Sequence, residues 1–132
     1  MTGIIGAMKI EIEALNAQME NRQTRTVSGI EFTSGTLCGR EVVTAVCGIG
    51  KVFAAMCAQT MILLYSPDRI INTGVAGSLS TKLNIGDTRS ATSLSTRHGH
   101  ESARRPGRHD IGHKYSRYPA DGELADKICA AA

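Results

Sequence analysis

The chain has 132 residues, enough for one domain with a real core, and its 42% hydrophobic and 20% charged fractions are globular values. A net charge of +3 is too mild to imply nucleic acid, and 4% aromatics with no Trp leave little for base stacking. No apolar run reaches membrane-spanning length and no signal peptide opens the chain, so the expectation is a cytoplasmic protein without membrane contact.

Residues 2–7 contain the apolar pair Ile4-Ile5 and read as a buried strand. Gly6-Ala7-Met8 then forms a small-residue exit, where backbone can approach a ligand closely. Charge begins at Lys9, and Ile12, Leu15 and Met19 recur at helical spacing, which predicts a helix over 9–20. Glu11 stands in its opening turn, where the helix dipole favours a carboxylate by about 0.3–1 kcal/mol. Two roles are open to it. It can simply complement the dipole, or it can orient a water or grip a sugar hydroxyl beyond the strand end. Residues 21–28 are polar and turn-like. Residues 31–37 and 41–47 read as strands joined by the tight turn Cys38-Gly39-Arg40, a hairpin.

Cys47-Gly48-Ile49-Gly50-Lys51-Val52 ends a strand and opens a long apolar helix over 51–65, where Ala54, Ala55 and Ala58 permit close packing on a sheet. Ser66-Pro67-Asp68 stops it. Residues 69–72 read as a short buried strand, 73–78 as a small-residue loop, and 83–87 as a turn leading to one more strand. That strand does not arrive. Residues 88–108 show neither a period of two nor one of 3.6, and Leu94 is their one large aliphatic. Seven of the 15 basic residues fall within 88–118, and all four histidines within 98–113. Residues 88–117 therefore form an atypical basic segment, read as frame-shifted or disordered, with a genuine exposed insertion as the rival. Asp121 is placed to cap a final helix over 122–132. The chain thus divides into 1–87, the atypical segment, and a C-terminal helix within 118–132.

This order of elements is α/β with a mixed, partly parallel sheet. Ligands in such folds bind beyond the carboxyl ends of the strands. Three glycine-bearing loops, 6–8, 47–51 and 73–78, meet there in this reading. Gly48-Ile49-Gly50-Lys51 fails the P-loop pattern because Val52 follows the Lys, and fails the dinucleotide fingerprint because Phe53 replaces its third glycine. Backbone amides there can hold an anion or a sugar hydroxyl, or the segment is just a turn that needs small residues. Asn72 to Gly77 offers main chain and little else, which suits a flat ligand such as a purine and suits an ordinary strand exit equally. The histidines lack a framework for a metal, and the basic run 104–108 reads as a solvated loop. The cysteines at 38, 47, 57 and 129 show no ligand spacing and read as small buried hydrophobes.

The ordered set Gly3 to Met8 (GIIGAM), Glu11, Glu20-Asn21-Arg22-Gln23, Gly48 to Val52 (GIGKV) and Ile71 to Gly77 (INTGVAG) resembles the first part of a 5′-methylthioadenosine/S-adenosylhomocysteine nucleosidase, a branch of the nucleoside phosphorylase-like superfamily. The resemblance covers about 1–87, with a fainter match at 118–132. It implies a three-layer α/β/α fold and a cytosolic homodimer that needs no metal or organic cofactor. The implied reaction is hydrolysis of the N-glycosidic bond of an adenosine thioether, releasing adenine in methionine salvage. By position, Glu11 is similar to the glutamate that positions the attacking water. Met8, Ile49, Val75, Ala76 and Gly77 match residues lining the nucleoside pocket. The family's purine-protonating Asp and ribose-gripping Glu belong to a later stretch with no counterpart here, so the resemblance implies an incomplete site. The alternatives are another purine nucleoside phosphorylase or hydrolase of the superfamily, or an inert nucleoside-binding fragment. A carboxylate at position 11 favours water over phosphate as nucleophile, since it repels phosphate and offsets the positive charge of an oxocarbenium-like transition state.

Overall fold

Alternation along the strands decides the architecture. In the computed structural model, which describes residues 1–78, 81–88, 90–91, 93–97 and 115–131, the chain forms two compact units, Met1–Gly77 and Ser78–Ala132. The first unit contains β1 (Thr2–Gly6), α1 (Lys9–Gln18), β2 (Glu20–Val27), β3 (Ile30–Leu37), β4 (Arg40–Val46), α2 (Lys51–Tyr65) and β5 (Arg69–Asn72). Its five-stranded sheet has the order β2-β3-β4-β1-β5. β1 runs parallel to β4 and β5, while β2, β3 and β4 form an antiparallel meander.

Successive residues of a strand point to opposite faces. Ile4 and Val42 pack with Ile12 of α1 and with Met19, whereas Ile5, Val43 and Ala45 pack with Cys57 and Met61 of α2. The two helices therefore cover opposite faces, and the unit is a three-layer α/β/α sandwich with a mixed sheet, as expected. Phe32 is fully buried on the α2 side and meets the ring of Tyr65 at 5.9 Å between centroids. Burying each such side chain stabilises the fold by about 1.5–3 kcal/mol. On the α1 face the buried Thr44 donates its hydroxyl to Asn16 Oδ1 at 2.6 Å, which satisfies the one polar group in that strand's core position.

The turns of the meander are two-residue loops with both central residues left-handed: Ser28-Gly29 (φ 52° and 77°) and Cys38-Gly39 (φ 49° and 73°). This is the turn geometry that matches strand twist. The polar stretch 21–28, expected to be a turn, is instead the strand β2, paired with β3 from Val27↔Ile30 to Glu20↔Thr36. β2 is an edge strand with almost every residue exposed, so it carries no burial signature. A register shift between Glu20 and Gln23, with Asn21 at φ 53°, adds to the turn-like look of its first residues. α2 ends where expected, at a left-handed Ser66 whose N–H reaches Ile62 O. Of its alanines, Ala54 and Ala58 lie against the core while Ala55 is exposed. β5 is half-exposed rather than buried, because it lies at the sheet edge.

In the second unit, Asp87 and Asn84 close the expected turn through Asp87 N–H to Asn84 O (3.2 Å) and Asn84 N–H to Asp87 Oδ2 (2.9 Å). β6 (Ser93–Arg97) pairs antiparallel with β7 (Tyr115–Pro119). This corrects the reading of 88–108 as strandless: SLSTR has no hydrophobic alternation, and it is the ladder with β7 that makes it a strand. α3 (Gly122–Ala131) starts where Asp121 Oδ1 accepts the Leu124 N–H at 3.0 Å, the expected cap. The histidine cluster and the basic run 104–108 lie outside the described residues. Among the described residues, no helix is long and apolar enough to cross a membrane.

Candidate active site

Because β1, β4 and β5 are parallel neighbours, their C-terminal ends share one edge of the sheet. The ladder continues past them, with Cys47 N–H donating to Gly6 O (2.9 Å) and Thr73 N–H to Ile5 O (3.0 Å). The exits of all three strands are thus zipped side by side, which is the convergence expected from the glycine-bearing loops.

Glu11 stands in this edge. It is the third residue of α1, half-buried, and its carboxylate turns back over the helix N-terminus. Oε2 accepts the N–H groups of Ala7 and Met8, each at 2.9 Å. Oε1 accepts the Val75 N–H at 3.0 Å, a contact spanning 64 residues of chain. The Met8 bond is the local helix-capping role anticipated for a first-turn glutamate. The Val75 bond is not local, and it joins the β1 exit to the β5 exit. Donation from Val75, then Met8, with Ala7 adding to them, holds the Glu11 carboxyl below the ordinary glutamate range against the opposing effect of partial burial. The group is therefore an anion at neutral pH. A carboxylate has about four acceptor positions. Three are taken by main chain, and among the described residues nothing takes the fourth, on Oε1, which leaves it to a water or a hydroxyl.

Loop 47–51 borders the same place. Burial pushes the Cys47 thiol up, and the charge of Glu11 raises it further. The thiol donates to Gly48 O at 3.1 Å. Gly48 and Gly50 have φ of 83° and 121°, left-handed values that open α2. Of the residues matched to a nucleoside pocket, Met8 and Val75 are brought to Glu11 through their amides. Ile49, Ala76 and Gly77 are exposed along the two neighbouring loops. The sequence placed Gly74 in the small-residue loop but assigned it no role of its own. A Cβ built there would lie 2.6 Å from Glu11 Oε1, so only glycine lets this loop come so close. A glycine just past a short strand was the available signal. Among the described residues no group of three His, Cys, Asp or Glu side chains is arranged to hold a metal.

A mixed α/β/α sandwich with a backbone-clamped carboxylate at the ends of its parallel strands defines an open-sheet α/β domain, a class whose ligands bind beyond the carboxyl ends of the strands. The chain belongs to the phosphorylase superfamily, whose family model matches residues 2–132. Over 85 residues it is 49% identical to a 5′-methylthioadenosine/S-adenosylhomocysteine nucleosidase of Shewanella sp. (strain MR-7), a match covering 64% of this chain and 36% of that protein. It also resembles the nucleosidase of Neisseria meningitidis in complex with methylthio-immucillin-A, with a TM-score of 0.83 and 32% identity over 98% of this chain and 56% of that one. The enzyme of Colwellia psychrerythraea 34H in complex with adenine is 37% identical, with a TM-score of 0.64 over 65% of this chain and 36% of that one. The match to curated relatives spans a little over a third of their length.

Proposed function

We propose that this chain carries the water-side part of a nucleosidase that hydrolyses 5′-methylthioadenosine and S-adenosylhomocysteine. The observation that carries the reading is the Glu11 carboxylate, held ionised by three amides from two strand exits and left with one open acceptor position. In this reading the open lone pair of Oε1 orients a water toward the anomeric carbon. The C–N bond to adenine breaks first and its electron pair leaves with the base, which takes up a proton from solvent; the water's oxygen then forms the new C–O bond and gives up a proton to the Glu11 carboxylate. The fixed negative charge offsets the oxocarbenium character that develops between the two events. Met8, Ile49, Val75, Ala76 and Gly77 border the nucleoside, with apolar side chains and main chain against a flat base. The names of the similar proteins and the ligands of the two solved structures support this substrate class. No cofactor enters the reaction, and the setting is the cytoplasm.

The chain's own contribution is the nucleophile side. By the resemblance, protonation of the leaving purine falls to an acid that is not among these 132 residues. General acid catalysis is typically worth about 10²–10⁴-fold. The 132-residue chain is therefore expected to bind 5′-methylthioadenosine saturably, with adenine release far slower than the roughly 1 s⁻¹ of an ordinary enzyme. Calorimetry and an adenine-release assay on the wild type and Glu11→Gln check this. Absence of saturable binding overturns the nucleoside reading, and phosphate-dependent cleavage replaces hydrolase with phosphorylase.

The same reading includes a homodimer. From Val52 to Tyr65, α2 contains no charged residue, and Val52, Phe53, Met56 and Leu63 are exposed on it. Gln59 and Thr60 are the only polar side chains between them, and a helix with so wide an apolar surface is normally covered on more than one side.

A further inference from the structure

Gly74 takes no part in the reading above, yet it meets the group on which that reading turns. A Cβ at this position would lie 2.6 Å from Glu11 Oε1, 2.9 Å from Cδ and 3.1 Å from Oε2. Real Cβ atoms do not approach other atoms so closely, so with any other residue the carboxylate or the loop must move. The carboxylate is the free end of a flexible side chain and is the cheaper part to displace. The loop is fixed just upstream, where Thr73 N–H donates to Ile5 O at 3.0 Å. Immediately downstream, Val75 N–H reaches Oε1 at 3.0 Å. The three consecutive residues thus do different things: Thr73 anchors the loop to β1, Gly74 leaves room, and Val75 donates.

We propose that Gly74 is a positioning residue for Glu11: its missing side chain lets the β5 exit loop close on the carboxylate, so that Val75 fixes Oε1 and aims its remaining lone pair outward. What Glu11 then does chemically rests on the nucleosidase reading, but how it is held does not. Gly77 sets the contrast within the same loop, because a Cβ there would meet nothing within 4 Å. The closeness at Gly74 is therefore specific to the clamp and not a general tightness of the loop.

Two variants of the full chain test this. Gly74→Ala inserts a methyl group against the carboxylate. Val75→Pro removes the donor and adds no atom at position 74; the glycine before it tolerates the proline. The readouts are the Glu11 titration, followed by carboxyl-carbon NMR and assigned with Glu11→Gln, and hydrogen exchange at the Val75 and Thr73 amides. Cys47, the titratable neighbour within electrostatic reach, stays protonated through the acidic range and does not blur the curve. In Gly74→Ala the Glu11 midpoint is expected to rise and Val75 protection to fall by about tenfold or more, the loss of a charge-assisted hydrogen bond, while Thr73 stays protected. Val75→Pro should raise the midpoint in the same direction. An unchanged Glu11 midpoint in Val75→Pro overturns the proposal, as does full Val75 protection in Gly74→Ala. None of these readouts needs turnover, so loss of the nucleosidase reading and loss of the Gly74 role are separate results.

Discussion

Glu11 is ionised by the main chain, and this has a thermodynamic consequence apart from any reaction. Its carboxyl lies below the ordinary range in the folded state because Val75, Met8 and Ala7 donate to it. Above the unfolded value both states are ionised and the full stabilisation is present. As pH falls, the unfolded chain takes up the proton first, and the contribution is lost as pH passes down through the folded value. Asp68, held down by the hydrogen-bonded N-terminal amine 2.7 Å away, adds a slope of the same sign. Subtracting the urea-unfolding profile of Glu11→Gln from that of the wild type, between about pH 6 and 3, should isolate the glutamate as a difference that shrinks toward low pH. Equal slopes in the two proteins would count against the clamp. The cysteines make a second residue-scale case. Cys57 is fully buried, and burial, with Cys47 nearby, pushes its thiol up to about 11. The thiolate is the reactive form. At about pH 8, alkylation followed by mass spectrometry should label the exposed Cys38 quickly and reach Cys47 and Cys57 only when the chain is unfolded.

At the scale of elements, stability is concentrated where the two helices meet the sheet. Phe32 and Met61 are both fully buried in the core on the α2 face of the sheet. Phe32→Ala should cost about 3–5 kcal/mol and Met61→Ala about 2–5 kcal/mol in chemical denaturation, by lost transfer energy and the cavity left behind. Thr44→Val on the other face should cost less, about 0.5–1.5 kcal/mol, since it removes one hydrogen bond to Asn16 and keeps the volume. Elements with a buried face were readable for the same reason that they are stable: β1, β3, β4, α1 and α2 write their packing into hydrophobic spacing. β2 and β6 hold their place by ladder hydrogen bonds to β3 and β7, and hydrophobic spacing does not record those. The candidate site divides along similar lines. Glu11 was visible as a carboxylate in the first turn of a helix, and the loops as small-residue strand exits. That Val75 closes on it from 64 residues away depends on β5 lying beside β1, a pairing that local pattern does not contain.

At the scale of the whole molecule, the two compact units divide after Gly77, and the basic segment 88–108 belongs to the second. We propose a shifted reading frame for 88–108, and translation of the coding DNA in the other two frames tests it. An apolar strand followed by an acidic loop is expected in one of them, and its absence in both leaves the exposed insertion. The other whole-molecule question is what covers α2. Val52 and Leu63 are each more than two-thirds exposed, Phe53 and Met56 about half, and no charge interrupts the helix after Lys51. Leaving so much apolar surface in water forfeits about 25 cal/mol for every Å² that a partner would otherwise cover. A second copy provides a matching surface, because a two-fold axis brings the same helix face from each side. Leu63 lies away from the buried Cys57 and Met61, so a lysine there should leave the protomer's own stability within about 0.5 kcal/mol. In a dimer the same change places a charge in an apolar interface. Sedimentation equilibrium should therefore show a dimer for the wild type and a monomer for Leu63→Lys, with unfolding of the dilute variant little altered. A wild-type chain that sediments as a monomer at all concentrations would assign the exposed face of α2 to something other than its own copy.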